Sequence, residues 1–127
     1  MSHFKNVNVV YYYVTQWEAA KAFYDEVLGW PVDWSDDEFG WREYGRPGET
    51  HIAISKWTEA GSPPPRGGAT ATLTVEDAHQ TAAWLASKGV RCDDVVAIPG
   101  VVTYGTFYDP EGNRIQFAAS APESAGG

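Results

Sequence analysis

The residues best suited to chemistry are a histidine, an arginine and a glutamate in short strand-like runs. His51 could act as a general base or contact a ligand, although a histidine in a strand more often makes a structural hydrogen bond. Arg114 could bind a carboxylate, or could equally pair with one of the 17 acidic residues of the chain. Glu43 and Trp41 share a third run, and the sequence does not determine which way either side chain faces. Acid–base catalysis needs a base beside a group that stabilises negative charge, and only His51 with Arg114 approaches this.

The composition of the chain limits the kinds of molecule that it is expected to bind. The chain has 127 residues, with 9 Lys and Arg against 17 Asp and Glu, and its net charge is −8. This size fits one compact domain, and the charge disfavours nucleic acid while attracting cationic small molecules. No run of residues is long and apolar enough to predict a membrane span. Cys92 is the only cysteine, which excludes an internal disulfide or a cysteine zinc site and predicts a cytoplasmic protein.

The first half of the chain predicts a strand, a helix and three further strands. Residues 6–14 are rich in β-branched and aromatic side chains, which favours a strand. Thr15 and Glu18 have the spacing of a capping box, so a helix is expected to begin at Thr15, and Gly29 supplies its end. The later runs with strand character are residues 32–34, 39–44 and 50–57.

The second half repeats this order after a linker rich in Pro and Gly. A strand over residues 69–75 precedes a helix that Asp77 caps, with Gln80 three residues on, and that extends to Gly89. Strands are then expected at residues 95–98, 102–108 and 113–118. Two similar modules in one domain predict an approximate two-fold axis. The predicted divisions are a first module at 5–57, a linker at 58–68, a second module at 69–119 and a disordered tail at 120–127.

Alternation along the predicted strands places polar and aromatic side chains on one face of each module. In the first strand of the second half, Ala71, Leu73 and Val75 should pack on the helix, which leaves the threonines on the opposite face. Tyr11 and Tyr13 share such a face in the first half, where they could line a pocket or simply fill the sheet surface. The predicted ligand-binding residues are Tyr11, Tyr13, Trp41, Glu43, His51, Thr70, Thr72, Arg114 and Gln116.

Two segments resemble those of a known superfamily. Residues 13–24 read Tyr-Val-Thr-Gln-Trp-Glu-Ala-Ala-Lys-Ala-Phe-Tyr, with Leu-Gly-Trp at 28–30, and residues 108–117 read Tyr-Asp-Pro-Glu-Gly-Asn-Arg-Ile-Gln-Phe. These resemble the strand-helix opening and the closing hairpin of the vicinal oxygen chelate superfamily. It includes glyoxalase I, extradiol dioxygenases, fosfomycin-resistance enzymes and bleomycin-resistance proteins. The resemblance covers residues 5–119.

The resemblance implies an α+β fold in which two tandem βαβββ modules form curled mixed sheets around a concave cavity. In this superfamily the modules pair within one chain or are exchanged between the chains of a dimer. The resemblance therefore also suggests a homodimer.

Metal-dependent members of that superfamily hold a divalent cation with inward side chains at four equivalent positions, two in each module. The resemblance places these positions at Val9, Ala53, Thr70 and Gln116, and only Gln116 carries an oxygen of the usual kind. His51, two residues before Ala53 on the same predicted face, is the one available substitute. A divalent cation needs several His, carboxylate or carbonyl donors to replace its hydration shell, so we expect no metal site and no cofactor.

Three hypotheses of function follow. The leading one is a metal-independent protein that binds a cationic or aromatic small molecule, as bleomycin-resistance proteins do. The alternative is a lyase, isomerase or dioxygenase with a rearranged site built on His51, Glu43 and Gln116. The third is an interaction module without a ligand. A homodimer is expected in each case, because a short chain with six tryptophans leaves apolar surface to cover.

Overall fold

The computed structural model describes residues 2–120, which form two compact units divided between Arg66 and Gly67. Each unit combines one helix with one mixed sheet, so the α+β fold expected from the sequence is confirmed. No helix within residues 2–120 is long and apolar enough to cross a membrane.

The first unit contains one four-stranded sheet. Its elements are β1 (Val9–Val14), α1 (Trp17–Leu28), β2 (Val32–Asp36), β3 (Trp41–Tyr44) and β4 (His51–Lys56). The strand order is β1-β4-β3-β2, with β1 parallel to β4 and the other pairs antiparallel. The first strand starts later than predicted, because its partner β4 begins at His51, opposite Val9.

The start of α1 differs from the prediction by one residue. Its N-cap is Gln16, whose side chain makes no capping hydrogen bond, so the helix does not begin at Thr15 as expected. The buried side chains of Trp17, Ala20 and Tyr24 set the phase of the helix against the sheet, and this packing outweighs the local capping signal. Gly29 ends the helix as predicted, in the left-handed conformation with φ +62°.

A polar clasp fixes the orientation of β3 against α1. Asp25 of the helix accepts hydrogen bonds from Nε and Nη2 of Arg42, both at 3.0 Å, and from the hydroxyl of Tyr44 at 2.7 Å. Since Arg42 and Tyr44 both face the helix, the side chains that alternate with them project from the opposite face of the sheet. The sequence left this facing open for Trp41 and Glu43.

The second unit repeats the topology of the first. Its elements are β5 (Ala71–Thr74), α2 (Ala78–Ser87), β6 (Arg91–Cys92), β7 (Val96–Ile98), β8 (Val102–Tyr108) and β9 (Arg114–Ser120). The strand order is β5-β9-β8-β6, with β7 also paired to β8, and β5 lies parallel to β9 just as β1 lies parallel to β4. The two-residue strand β6 was not predicted, since it is too short to display alternation.

The boundaries of the second unit correct three predictions. Asp77 caps α2 as expected by accepting from the backbone N–H of Gln80, but the helix ends at Ser87, before Gly89. Thr70 precedes β5 instead of belonging to it. Ser120 pairs with Val102 in the sheet and is not part of a disordered tail, because the long partner strand β8 continues that far. Residues 121–127 lie outside the described residues.

Candidate functional site

Four aromatic rings form a continuous row on the face of the first sheet opposite α1. We call this set of Trp41, Tyr11, Tyr13 and Trp57 the aromatic row. Neighbouring ring centroids are 5.0 Å apart for Trp41 and Tyr11, 5.4 Å for Tyr11 and Tyr13, and 4.9 Å for Tyr13 and Trp57. Tyr11 is the most open of these rings to a ligand, with 45% of its surface exposed. The Tyr11 and Tyr13 hydroxyls lie 3.3 Å apart, and this hydrogen bond raises the pKa of Tyr13 and keeps its phenol neutral.

Small residues on the central strand allow the row to form. Tyr11 lies on β1 and Trp41 on β3, with β4 between them. Ala53 pairs with Tyr11, and Ser55 pairs with both Tyr13 and Trp41. Because Ala53 and Ser55 fill little space, rings from the two strands that flank β4 lean over them and meet. Ala53 is fully buried beneath these rings, where its small side chain leaves room for them.

A carboxylate is held beside the first ring of the row. The Glu43 side chain is 16% exposed, and its Oε1 accepts a hydrogen bond from Nε1 of Trp41 at 3.0 Å. Its Oε2 lies 2.5 Å from Nδ1 of His51. The same face of the sheet therefore offers a row of aromatic rings that are tilted against one another and, next to it, a carboxylate whose two oxygens both have a hydrogen-bond partner.

A β-bulge in β2 brings a second carboxylate close to Glu43 and His51. Val32 pairs with Tyr44 and Trp34 with Glu43, so Asp33 is an extra residue inserted between two consecutive pairs. A carboxylate oxygen of Asp33, a carboxylate oxygen of Glu43 and a ring nitrogen of His51 all lie within 4.8 Å of one another. We call Asp33, Glu43 and His51 the carboxylate corner. Asp33 is exposed, so its charge faces solvent.

Both ring nitrogens of His51 face hydrogen-bond acceptors. Nδ1 faces Glu43, and Nε2 lies 2.8 Å from the backbone carbonyl oxygen of Arg46. The carbonyl of Arg46 and then the Glu43 carboxylate raise the pKa of His51 above its ordinary value of 6.5. The imidazolium form, with an N–H on each nitrogen, satisfies both acceptors. This arrangement corresponds to the structural role that a strand histidine often has, since both ring nitrogens have partners within the protein.

The residues present do not fit a metal ion at either place where one would be sought. In the carboxylate corner, each ring nitrogen of His51 already faces a hydrogen-bond acceptor, which favours a protonated ring over a metal ligand. At the positions implied by the superfamily resemblance, the side chains of Val9 and Ala53 have no atom that could bind a metal ion. Thr70 accepts a hydrogen bond from the Arg114 guanidinium at 2.8 Å, which places a positive charge where a cation would bind.

The second unit has a polar open face of its own. Gln116 donates from Nε2 to the hydroxyl of Thr106 at 3.2 Å, so its amide is already oriented within the sheet. An open depression of about 290 Å³ lies on this face. Its lining residues are Thr72, Val102, Tyr104, Gln116 and Ala118. Thr72 and Gln116 thus lie together as alternation predicted, whereas Thr70 and Arg114 bond to each other.

Two residues of the site in the first unit were missed from the sequence. Trp57 follows His51, Ala53 and Ser55 at steps of two, so extending that alternation would have found it. Asp33 carried no signal, because alternation along a regular strand cannot reveal an inserted residue. The structure brings five predicted residues to one face of the first sheet: Tyr11, Tyr13, Trp41, Glu43 and His51.

Comparisons with known proteins show which family and which solved structures this chain resembles. A family model described as Glyoxalase/Bleomycin resistance protein/Dioxygenase superfamily matches residues 3–117. No curated protein matches significantly. TnmS3, an antibiotic binding protein from Streptomyces sp. CB03234, is 25% identical, with a TM-score of 0.75 over 95% of this chain and 100% of its own. A glyoxalase family protein from Bacillus anthracis is 22% identical, with a TM-score of 0.76 over 94% of this chain and 98% of its own. A lactoylglutathione lyase from Agrobacterium tumefaciens is 15% identical, with a TM-score of 0.67 over 93% and 96%.

Proposed function

We propose that this chain, which belongs to the Glyoxalase/Bleomycin resistance protein/Dioxygenase superfamily, is a metal-independent binding protein for an aromatic small molecule with a positive charge. The observation that carries the proposal is the aromatic row with the carboxylate corner at its Trp41 end. Binding and sequestration need affinity alone, and a surface of this kind supplies it without a reactive group.

The chemistry of the site favours an aromatic cation over other ligands. The π-face of a ring attracts a cation by about 0.5–1 kcal/mol at an exposed site, and by more when the cation is desolvated. Glu43 and Asp33 add negative charge next to these rings. The net charge of −8 attracts the same class of ligand at longer range. A neutral aromatic molecule would gain only the stacking contribution, and an anion would be repelled.

The likeness to TnmS3 supports sequestration as the purpose of binding. That protein is described as antibiotic binding, and it is among the solved structures that match nearly the whole of this chain. Sequestration of the bleomycin-resistance type is therefore part of the proposal. Within the second unit, Thr72 and Gln116 are proposed to bind neutral hydrogen-bonding groups of a small molecule, and Thr70 and Arg114 to support that face.

Titration with three ligands of one ring system tests this proposal. We expect N-methylacridinium, a cation, to bind more tightly than neutral N-methylacridone, and N-carboxymethylacridone, an anion, to bind most weakly. Tyr11→Ala should weaken cation binding about tenfold, since stacking on an aromatic side chain contributes about 1–3 kcal/mol by alanine substitution. The matched control is Trp84→Ala, which removes a similarly exposed ring (42%) from α2 and should leave affinity unchanged. No binding of any of the three, or a preference for the anion, would contradict the proposal.

The His51–Glu43 hydrogen bond favours an enzyme as the second candidate. An imidazole oriented by a carboxylate is a common arrangement for a general base. A lyase, isomerase or dioxygenase would use this pair, and it would require Nε2 of His51 to leave the Arg46 carbonyl. Metal analysis of protein purified without chelators separates the candidates. Stoichiometric metal that is lost on His51→Ala would favour the enzyme.

A cytoplasmic homodimer completes the proposal. Several large apolar side chains of each unit are exposed, among them Phe39 at 71%, Trp34 at 49%, Val101 at 64% and Ile98 at 41%. Covering such side chains is a common cause of self-association. Light scattering coupled to size exclusion should give twice the monomer mass of 13.9 kDa, and a monomer at high concentration would refute this part.

A further inference from the structure

We infer that His51 sets the charge of the ligand site, so that a cationic ligand bound beside Glu43 displaces a proton from the His51 imidazolium. This inference rests on the proposed function, because it concerns a cation bound at the same site. It makes His51 a residue that determines specificity by acting through Glu43, without touching the ligand.

The geometry joins the charge of His51 directly to that of Glu43. Their side chains meet at 2.5 Å, and His51 is only 7% exposed, so little water screens the pair. Glu43 is at the same time bonded to Trp41, the first ring of the aromatic row. When His51 is protonated, its charge offsets that of Glu43 just where a cation would bind. When His51 is neutral, the ring no longer offsets the charge of Glu43, which then acts on the ligand in full.

The groups that face His51 come from four sides. Glu43 lies on β3 and Asp33 on the bulge of β2, and both are negative. The chain after β3 presents only the backbone carbonyl of Arg46, whose own guanidinium is exposed and lies 3.9 Å from Glu49. On β1 the paired residue is Val9, which is uncharged. The carboxylate corner therefore carries a charge of −1 with His51 protonated and −2 after the proton leaves.

This change of charge predicts opposite pH dependences for affinity and stability. The folded protein holds the His51 proton more tightly than the unfolded chain does, since the pKa of His51 is raised by Arg46 and Glu43. The stabilisation is therefore complete below the ordinary pKa of 6.5 and is lost as the pH rises through the raised value. Cation affinity should rise over that same pH interval. A purely structural histidine would give the change in stability without the change in affinity.

Calorimetric titration of the full chain with N-methylacridinium tests the inference. We expect the Kd to fall about five- to tenfold as the pH rises from about 5.5 to 8.5, since one proton coupled to binding permits at most tenfold per pH unit. Near the His51 pKa, titrations in phosphate and in Tris buffer should differ in apparent enthalpy, because up to one proton is released for each cation bound. N-methylacridone should show neither effect.

Two variants and one spectroscopic measurement make the outcome decisive. His51→Gln keeps an N–H donor for Glu43 but cannot titrate, so cation affinity should become independent of pH. His79→Gln, which removes a histidine from α2, should retain the pH dependence. If His51→Gln fails to fold, the NMR titration of His51 in the natural protein should show its pKa lowered by the bound cation.

The possible results separate the inference from the function on which it rests. Cation binding without proton release, or with the same pH dependence in His51→Gln, would overturn the role of His51 and leave the binding function standing. Failure of both acridine ligands to bind would overturn the proposed function itself.

Discussion

Replacing Gly45 by alanine should displace the His51 ring and so disrupt the carboxylate corner. Gly45 follows β3, is buried, and has a φ of +151°, a backbone conformation in which side chains are rarely accommodated. A methyl group on its Cα would lie 2.6 Å from Cγ and 2.8 Å from Nε2 of His51. These are atoms of a ring held on both sides by hydrogen bonds, so the ring cannot move without losing Glu43 or Arg46.

The expected cost has two parts that a matched variant can separate. Overpacking against a well-held ring costs about 1–3 kcal/mol. Backbone strain at such a φ costs about 1–3 kcal/mol more. Gly48, three residues later, has a φ of +83° and nothing within 4 Å of the corresponding methyl position. Gly48→Ala should therefore show the strain alone, and Gly45→Ala should exceed it by about 2 kcal/mol.

Urea denaturation followed by tryptophan fluorescence measures this difference in the free energy of unfolding. The double variant Gly45→Ala, His51→Ala should be more stable than the sum of the single losses predicts, by about 1 kcal/mol or more, because the obstructing ring is gone. Equal losses of stability in the two glycine variants, or additive losses in the double variant, would refute the contact between Gly45 and His51.

Three further substitutions test the second unit by the same denaturation assay. Gly105→Ala should destabilise by about 2–3 kcal/mol, since its methyl would lie 2.7 Å from Cε2 of the buried Phe117 ring; a loss under about 1 kcal/mol would contradict this packing. Asp77→Ala should cost about 1 kcal/mol by removing the acceptor for the Gln80 N–H, and an unchanged unfolding midpoint would dispute the cap. Asp109→Ala should cost about 2–3 kcal/mol because three donors at the β8–β9 turn lose a buried carboxylate, and a smaller loss than for the helix cap would count against that role.

The order of helices and strands was largely predictable because local signals agree with the fold. Alternation of apolar residues placed most strands, and Gly29 and Asp77 marked helix ends correctly. The errors fall where tertiary contacts outweigh local preference. The helix α1 begins after Gln16 because Trp17 must be buried, and the last strand extends to Ser120 because β8 offers it a partner.

The sequence by itself determined which side chains could share a face, because a period of two is a property of any extended strand. It thereby placed Tyr11 with Tyr13, and His51 on the face opposite the core. Only the tertiary structure decided that rings from β1 and β3 meet over Ala53, because strand order depends on pairing between distant segments. The tertiary structure also decided that a β-bulge brings Asp33 next to the His51–Glu43 pair. The sequence could not show this, because an inserted residue interrupts the alternation on which the predicted facing of side chains depends.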